Sequence, residues 1–221
     1  MAKSDFKAVI FDLDGVLTDT ARYHYLAWKQ LANSLDIPFD EAFNEELKGV
    51  DRMGSLDLIL ARGNRTCSLE QKLELAHAKN SHYQQLIETM SPTDLLPGAM
   101  ATLNAVRQAD LMIGLASVSK NAFTVLDRLG ITDWFDYVVD ANTIKNGKPD
   151  PEIFLVAADR LAVAPQACLG VEDSVAGIRS IKSAGMFALG IGNPAILEEA
   201  DMVIPGLDHF RLSDFLLSEP A

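Results

Sequence analysis

Short apolar runs of strand length alternate with segments of helical period along most of this chain, and that alternation restricts the possible folds more than any other feature. The runs fall at residues 8–11, 111–116, 137–139, 168–171, 187–191 and 202–204. Between them Ala99/Leu103/Val106, Phe123/Leu126/Leu129 and Ile153/Phe154/Ala157/Ala158/Leu161 repeat with helical spacing. Strands that read as continuous apolar runs are buried on both faces, which requires helices on both sides of a parallel sheet. The expected fold is therefore α/β, with a Rossmann-like parallel sheet core. Punctuation agrees: Asp150-Pro151 reads as an N-cap followed by a first-turn proline, and Gly130 and Gly185 fall where helices should stop.

Residues 17 to about 90 interrupt the alternation with helical stretches and no strand. His24/Ala27/Trp28/Leu31/Ala32/Leu35 follows i, i+3, i+4 spacing, and Leu69/Leu73/Ala76/Asn80/Tyr83/Ile87 repeats it over several turns. Gly63-Asn64-Arg65-Thr66-Cys67 reads as a loop between two such helices. Proline at Ser91-Pro92 discourages further helix, and Leu96-Pro97-Gly98 restarts the core. The expected organisation is an α/β core domain of residues 1–16 and 92–221 carrying an inserted helical cap domain of residues 17–91.

Charge and cysteine usage narrow the function. Acidic residues number 31 against 19 basic, a net charge of −12. Such a surface repels phosphate backbones and anionic headgroups, so neither nucleic acid nor a membrane is an expected partner. An anionic substrate would need a local basic exception. The run at 8–11 is too short for a signal-peptide core, and no stretch approaches the roughly 20 apolar residues of a membrane span. Cys67 and Cys168 lie far apart and outside any Cys/His cluster, which suits free thiols in a reducing compartment. A cytoplasmic, monomeric protein acting on a small molecule is expected.

The residues that carry chemistry sit at the ends of the apolar runs. Phe11-Asp12-Leu13-Asp14-Gly15-Val16 places two acids two apart where the first run ends, and ligands of open parallel sheets bind at the carboxyl ends of strands. Carboxylates this close repel one another unless a cation, a shared proton or a reaction compensates, and Mg²⁺ is the natural cation for hard oxygen ligands. Val171-Glu172-Asp173-Ser174 repeats the pattern after the run at 168–171; alone it also reads as a helix N-cap with acids at a favourable helix end. Asp12, Asp14, Glu172 and Asp173 together form a candidate metal site. Ser117 ends a third run ahead of Lys120-Asn121 at a helix start suited to phosphate, although Ser117 alone reads as a simple cap. Lys148, before Pro149, can neutralise a phosphate or an acidic nucleophile, although a lone lysine is usually a solvated charge.

The ordered set of D-x-D, strand-Ser, Lys-Pro and Glu-Asp resembles the haloacid dehalogenase superfamily of phosphoryl-transfer enzymes, and the likeness spans the whole core. It implies that Asp12 attacks phosphorus to form an aspartyl-phosphate and that Asp14 serves as general acid and base. It also implies that Ser117 and Lys148 hold the phosphoryl group. Mg²⁺ would be bound by Asp12, the main-chain carbonyl of Asp14, Glu172 and Asp173. The stretches Asp12-Leu13-Asp14-Gly15-Val16-Leu17-Thr18-Asp19-Thr20, Tyr23-His24, Leu47-Lys48-Gly49-Val50-Asp51-Arg52, Ala116-Ser117-Val118-Ser119-Lys120-Asn121 and Gly170-Val171-Glu172-Asp173-Ser174-Val175-Ala176-Gly177 are similar to the phosphosugar mutases of that superfamily.

That likeness implies interconversion of β-D-glucose 1-phosphate and glucose 6-phosphate, with β-glucose 1,6-bisphosphate as activator and intermediate. A magnesium-dependent sugar-phosphate phosphatase is the alternative. The distal phosphate would be gripped by Arg52, Ser119, Lys120 and Asn121. His24 and Lys79 would lie close to the sugar and the acid/base carboxylate, and Thr20 at the hinge or first cap turn. Without the resemblance, His24 shares a face with Trp28 and Leu31 and reads as packing, and Lys79 reads as a solvated helix charge. Because an exposed aspartyl-phosphate hydrolyses, the cap is expected to exclude water.

Overall fold

The structure is a computed structural model that describes residues 6–47 and 52–215. Expectations falling on residues 1–5, 48–51 and 216–221, among them the Lys48-Gly49-Val50-Asp51 part of the cap motif, lie outside the described residues. In chain order the elements are β1 (Ala8–Phe11), α1 (Ala21–Ser34), α2 (Glu41–Glu45), α3 (Arg52–Arg62), α4 (Leu69–Ile87), α5 (Ala99–Gln108), β2 (Met112–Leu115), α6 (Ala122–Leu129), β3 (Tyr137–Val138), α7 (Glu152–Arg160), β4 (Cys168–Glu172), α8 (Val175–Ser183), β5 (Phe187–Ile191) and β6 (Met202–Ile204). They divide into two compact units, Met1–Asp19 with Ser91–Ala221, and Thr20–Met90.

In the first unit, six strands form one parallel sheet in the order β3-β2-β1-β4-β5-β6. β1 and β4 are buried along their whole length, as continuous apolar runs in a doubly covered sheet should be. Ile153, Phe154 and Ala157 of α7 and Ile178 and Ile181 of α8 share one core with Ala8 and Ile10 of β1 and Ala188 of β5. The order turns back on itself around β1, with β2 on one side and β4 on the other, which makes the carboxyl ends of β1 and β4 the topological switch point. Phe11 is in register with both Leu115 and Val171, so the residues that follow all three strands emerge at one level.

Helix punctuation follows the sequence with small shifts. Gly130 (φ 68°) and Gly185 (φ 77°) take the left-handed conformation just past α6 and α8. Pro151 occupies the N-cap position and α7 begins at Glu152, one residue later than expected, with Asp150 Oδ1 accepting the Glu152 N–H at 2.9 Å. In α6 the buried face is Ala122/Val125/Leu126/Leu129, and Phe123, expected to face the core, is exposed.

The second unit is helical, with Trp28, Leu31, Ile37, Phe43, Leu56 and Ile59 in its core. The loop 63–67 separates α3 from α4, and Ser68 with Gln71 forms a capping box at the start of α4. The expected stripe of α4 is corrected. Leu69 and Leu73 are exposed, and the buried face is Ala76/Lys79/Tyr83/Ile87. The boundary also moves slightly. Leu17 and Thr18 stay with the sheet unit because Leu96 N–H donates to Leu17 O at 2.9 Å and Thr18 Oγ1 donates to Asp94 O at 2.8 Å. No helix among the described residues is long and apolar enough to cross a membrane.

Candidate active site

Asp12 is the first residue beyond β1, and its N–H extends the ladder by donating to Val171 O at 2.9 Å. That bond orients a buried carboxylate at the switch point. Lys148 reaches it from the loop before α7, its Nζ donating to Asp12 Oδ1 and to Glu172 Oε1 at 2.7 Å each. Glu172, the last residue of β4, is buried, and its Oε2 accepts the N–H and hydroxyl of Ser174 at 2.6 and 2.9 Å. Ser174 in turn caps α8 by accepting the Gly177 N–H at 3.0 Å.

Crowding and burial govern protonation here. Burial, with the negative charges of Glu172 and Asp14, pushes the Asp12 carboxyl up to about 7, against the pull of Lys148. Burial also opposes the charge on Lys148, but Asp12 and Glu172 outweigh it and hold the ammonium above the usual lysine value. Partial burial and the carboxylates of Glu172 and Asp12 raise Asp173 likewise. A cation compensates such a cluster. Oxygens of Asp12, Glu172 and Asp173 lie within 4.8 Å of one another, a hard-oxygen donor set that fits Mg²⁺. Gly15, in the left-handed region at φ 77°, leaves space that Asp173 occupies, since a Cβ there would overlap the Asp173 carboxylate. The Asp14 carboxylate is outside this three-acid group, which leaves its carbonyl as the expected contribution. Asp14 is half-buried in the turn that Gly15 closes by donating its N–H to Thr18 O at 2.7 Å.

Ser117 follows β2, the strand beside β1, and is buried. Its Oγ accepts the Ser119 N–H at 3.2 Å, and Ser119 Oγ accepts the Asn121 N–H at 3.3 Å. The three polar side chains thus share one turn leading into α6, with Lys120 exposed beside them.

The helical unit holds its own group. Lys79 is buried, with Nζ 4.7 Å from the Trp28 ring centre and 5.0 Å from that of Tyr83, and it donates to His24 Nδ1 at 2.9 Å. When Lys79 is the ammonium, which only donates, the neutral imidazole carries its proton on Nε2. His24 stacks on Tyr83 with ring centres 4.1 Å apart while part of the residue faces solvent. That packing and the charges of Lys79 and Arg52 hold the imidazole well below its ordinary pKa, hence neutral. Burial, and secondarily Arg52, push Lys79 down to about 7. Arg52 is exposed and donates from Nη2 to Asn80 Oδ1 at 2.8 Å. Thr20 is buried at the start of α1, where its carbonyl accepts the Tyr23 and His24 N–H groups.

The roles of Trp28 and Tyr83 around Lys79, of Asn80 beside Arg52, and of Ser174 behind Glu172 were not legible in the sequence. Asn80 and Tyr83 lay in the α4 stripe, where their chemistry passed for packing. Ser174 was visible only as a cap.

The lysine makes a testable case. Lys79 binds fewer protons folded (pKa about 7) than unfolded (about 10.4), so its burial destabilises the protein most below pH 7, and the penalty disappears as pH rises to about 10. Urea unfolding of wild type and Lys79→Met across that window should show the variant more stable at pH 7. The gap should close at up to about 1.4 kcal/mol per pH unit. A gap that does not change with pH would contradict the assignment.

A buried lysine tying two carboxylates together beside an oxygen-rich metal cradle, at the switch point of this sheet, suits phosphoryl transfer through a carboxylate. Residues 6–185 match the haloacid dehalogenase-like hydrolase family, and the chain belongs to that family. It is 52% identical over 200 residues to the beta-phosphoglucomutase of Bacillus subtilis (strain 168), covering 90% of this chain and 88% of that protein. It is 32% identical to the phosphorylated carbohydrates phosphatase of Thermotoga maritima, covering 81% and 82%. The crystal structure of beta-phosphoglucomutase from Clostridium difficile superposes with a TM-score of 0.85 at 48% identity, covering 95% of each chain.

Proposed function

We propose that this chain is a β-phosphoglucomutase, interconverting β-D-glucose 1-phosphate and glucose 6-phosphate. The observation that carries this reading is the 52% identity to a beta-phosphoglucomutase over 90% of the chain, which takes in both units. In the reaction Asp12 attacks a phosphoryl phosphorus of β-glucose 1,6-bisphosphate. The phosphorus–sugar oxygen bond breaks as Asp14 protonates the departing oxygen, leaving an aspartyl-phosphate. Asp14 then takes the proton of the 6-hydroxyl of β-glucose 1-phosphate as that oxygen attacks the aspartyl-phosphate. The new bisphosphate reorients and returns its 1-phosphate to Asp12, releasing glucose 6-phosphate. Lys148 and Ser117 hold the transferring group. Mg²⁺, bound by Asp12, Glu172, Asp173 and the carbonyl of Asp14, supplies charge neutralisation where two anions meet.

The distal phosphate goes to Arg52 with Ser119, Lys120 and Asn121, because a guanidinium fork can bind phosphate in bidentate fashion. Neutral His24, its Nε2–H free to donate to a sugar or carboxylate oxygen, and Lys79 complete the cap contribution. Cys67 and Cys168, both free thiols, support a cytoplasmic setting.

A coupled assay for glucose 6-phosphate from β-glucose 1-phosphate, primed with β-glucose 1,6-bisphosphate and Mg²⁺, tests the reading. Product formation is expected. Inorganic phosphate released efficiently from sugar phosphates, with no glucose 6-phosphate, would move the assignment to the phosphatase that the Thermotoga relative suggests. Arg52→Ala should lower mutase turnover by about 10²-fold or more while changing hydrolysis of a small phosphomonoester by less than about threefold.

A further inference from the structure

Gly177 is the third residue of α8, buried, and its backbone is ordinary helix, since its φ is not positive. Nothing in the local conformation calls for glycine. Alanine would serve the helix better, because glycine inside a helix loses more conformational entropy on folding. The reason for glycine is instead spatial. A Cβ at Gly177 would overlap Cδ, Oε1 and Cγ of Glu172, so the carboxylate lies over the first turn of α8 in the volume that a side chain would fill.

Glu172 has no easy way to yield that volume. It is 1% exposed, its Oε1 is held by Lys148, and its Oε2 by the Ser174 N–H and hydroxyl. Moving it off Gly177 breaks at least one of these bonds and displaces an oxygen of the Asp12/Glu172/Asp173 group. We propose that Gly177 is a positioning residue for the divalent cation, one that sets metal affinity by leaving open the space in which the Glu172 carboxylate is held against Lys148. The inference rests on the magnesium reading of that three-acid group. Gly15 also stands against a carboxylate, that of Asp173, but its left-handed φ demands glycine for backbone reasons, so substitution there does not isolate the spatial effect.

The test is isothermal titration of MgCl₂ into the full-length wild type, Gly177→Ala, Glu172→Asp and the double variant, with far-UV circular dichroism of each metal-free protein. Gly177→Ala is expected to keep its helical spectrum and to bind Mg²⁺ at least about tenfold more weakly. Shortening Glu172 by one methylene withdraws the carboxylate from the contested volume. In the Glu172→Asp background the penalty of Gly177→Ala should therefore fall below about threefold, a coupling that a merely structural glycine would not show. If Gly177→Ala fails to fold, recovery of the fold in the double variant is the expected result, and its absence overturns the proposal. Equal affinity of Gly177→Ala and wild type overturns the positioning role while leaving the metal site in place. Absence of Mg²⁺ binding by the wild type overturns the metal reading and this inference with it.

Discussion

Asp12→Asn is expected to abolish turnover, lowering kcat by on the order of 10⁴-fold or more, with no phospho-enzyme detectable by intact-protein mass spectrometry after incubation with β-glucose 1,6-bisphosphate. The amide keeps the size and much of the hydrogen bonding of the carboxylate but cannot form an acyl phosphate. Two further losses accompany the missing nucleophile. Lys148 keeps Glu172 as an ion-pair partner but loses Asp12, and the three-acid group loses a formal charge that favours a cation. The fold should survive, because the main-chain bond from residue 12 to Val171 does not depend on the side chain. Retained far-UV dichroism with lost turnover is therefore the expected pairing. Substantial turnover by the amide variant would remove Asp12 from the role of nucleophile.

Lys148→Met should damage stability and activity together. The Lys148 side chain is 8% exposed and lies between two carboxylates whose side chains are 9% (Asp12) and 1% (Glu172) exposed. Methionine fills comparable volume but leaves both acids buried without their cation. Removing one partner of a buried pair typically costs about 3–5 kcal/mol, because the orphaned charge must stay desolvated or take up a proton. Urea unfolding in EDTA should show a loss of that order, and added Mg²⁺ should restore part of it by supplying positive charge at the same oxygens. Activity should fall by about 10²–10³-fold even with saturating Mg²⁺, since no ammonium then offsets the approach of a phosphate dianion to Asp12. A metal-free variant as stable as wild type would mean that the acids do not depend on Lys148.

Much of the fold was legible because its signals are local. Strands buried on both faces must be continuous apolar runs, so all six strands were visible within a residue or two of their observed ends. The carboxylate pair after β1 and the one at the end of β4 were legible for a related reason, since two acidic pairs at the ends of buried apolar runs point to one sheet edge. Errors arose where two readings fit the same local pattern. In α4, Leu69/Leu73/Ala76/Asn80/Tyr83/Ile87 and Ala76/Lys79/Tyr83/Ile87 are both helical stripes, and hydrophobicity favours the first. Packing chose the second, because α1 presents Trp28 and His24 there and Lys79 can satisfy its charge against two aromatic faces and an imidazole nitrogen. Phe123 in α6 failed in the same way, its period matching but its face turned outward.

The sequence by itself indicated the α/β class, the inserted helical segment and the acids proposed to do chemistry, because each depends on residue type and near-neighbour order, whereas Lys148 stood out only by its place in the ordered motif set. Only the tertiary structure decided that Lys148 joins Asp12 to Glu172 across 136 and 24 residues of chain, that Ser174 holds the second oxygen of Glu172, and that Gly177 leaves that carboxylate its place. Those relations are set by strand register and by volumes shared between distant segments, which local residue patterns do not display.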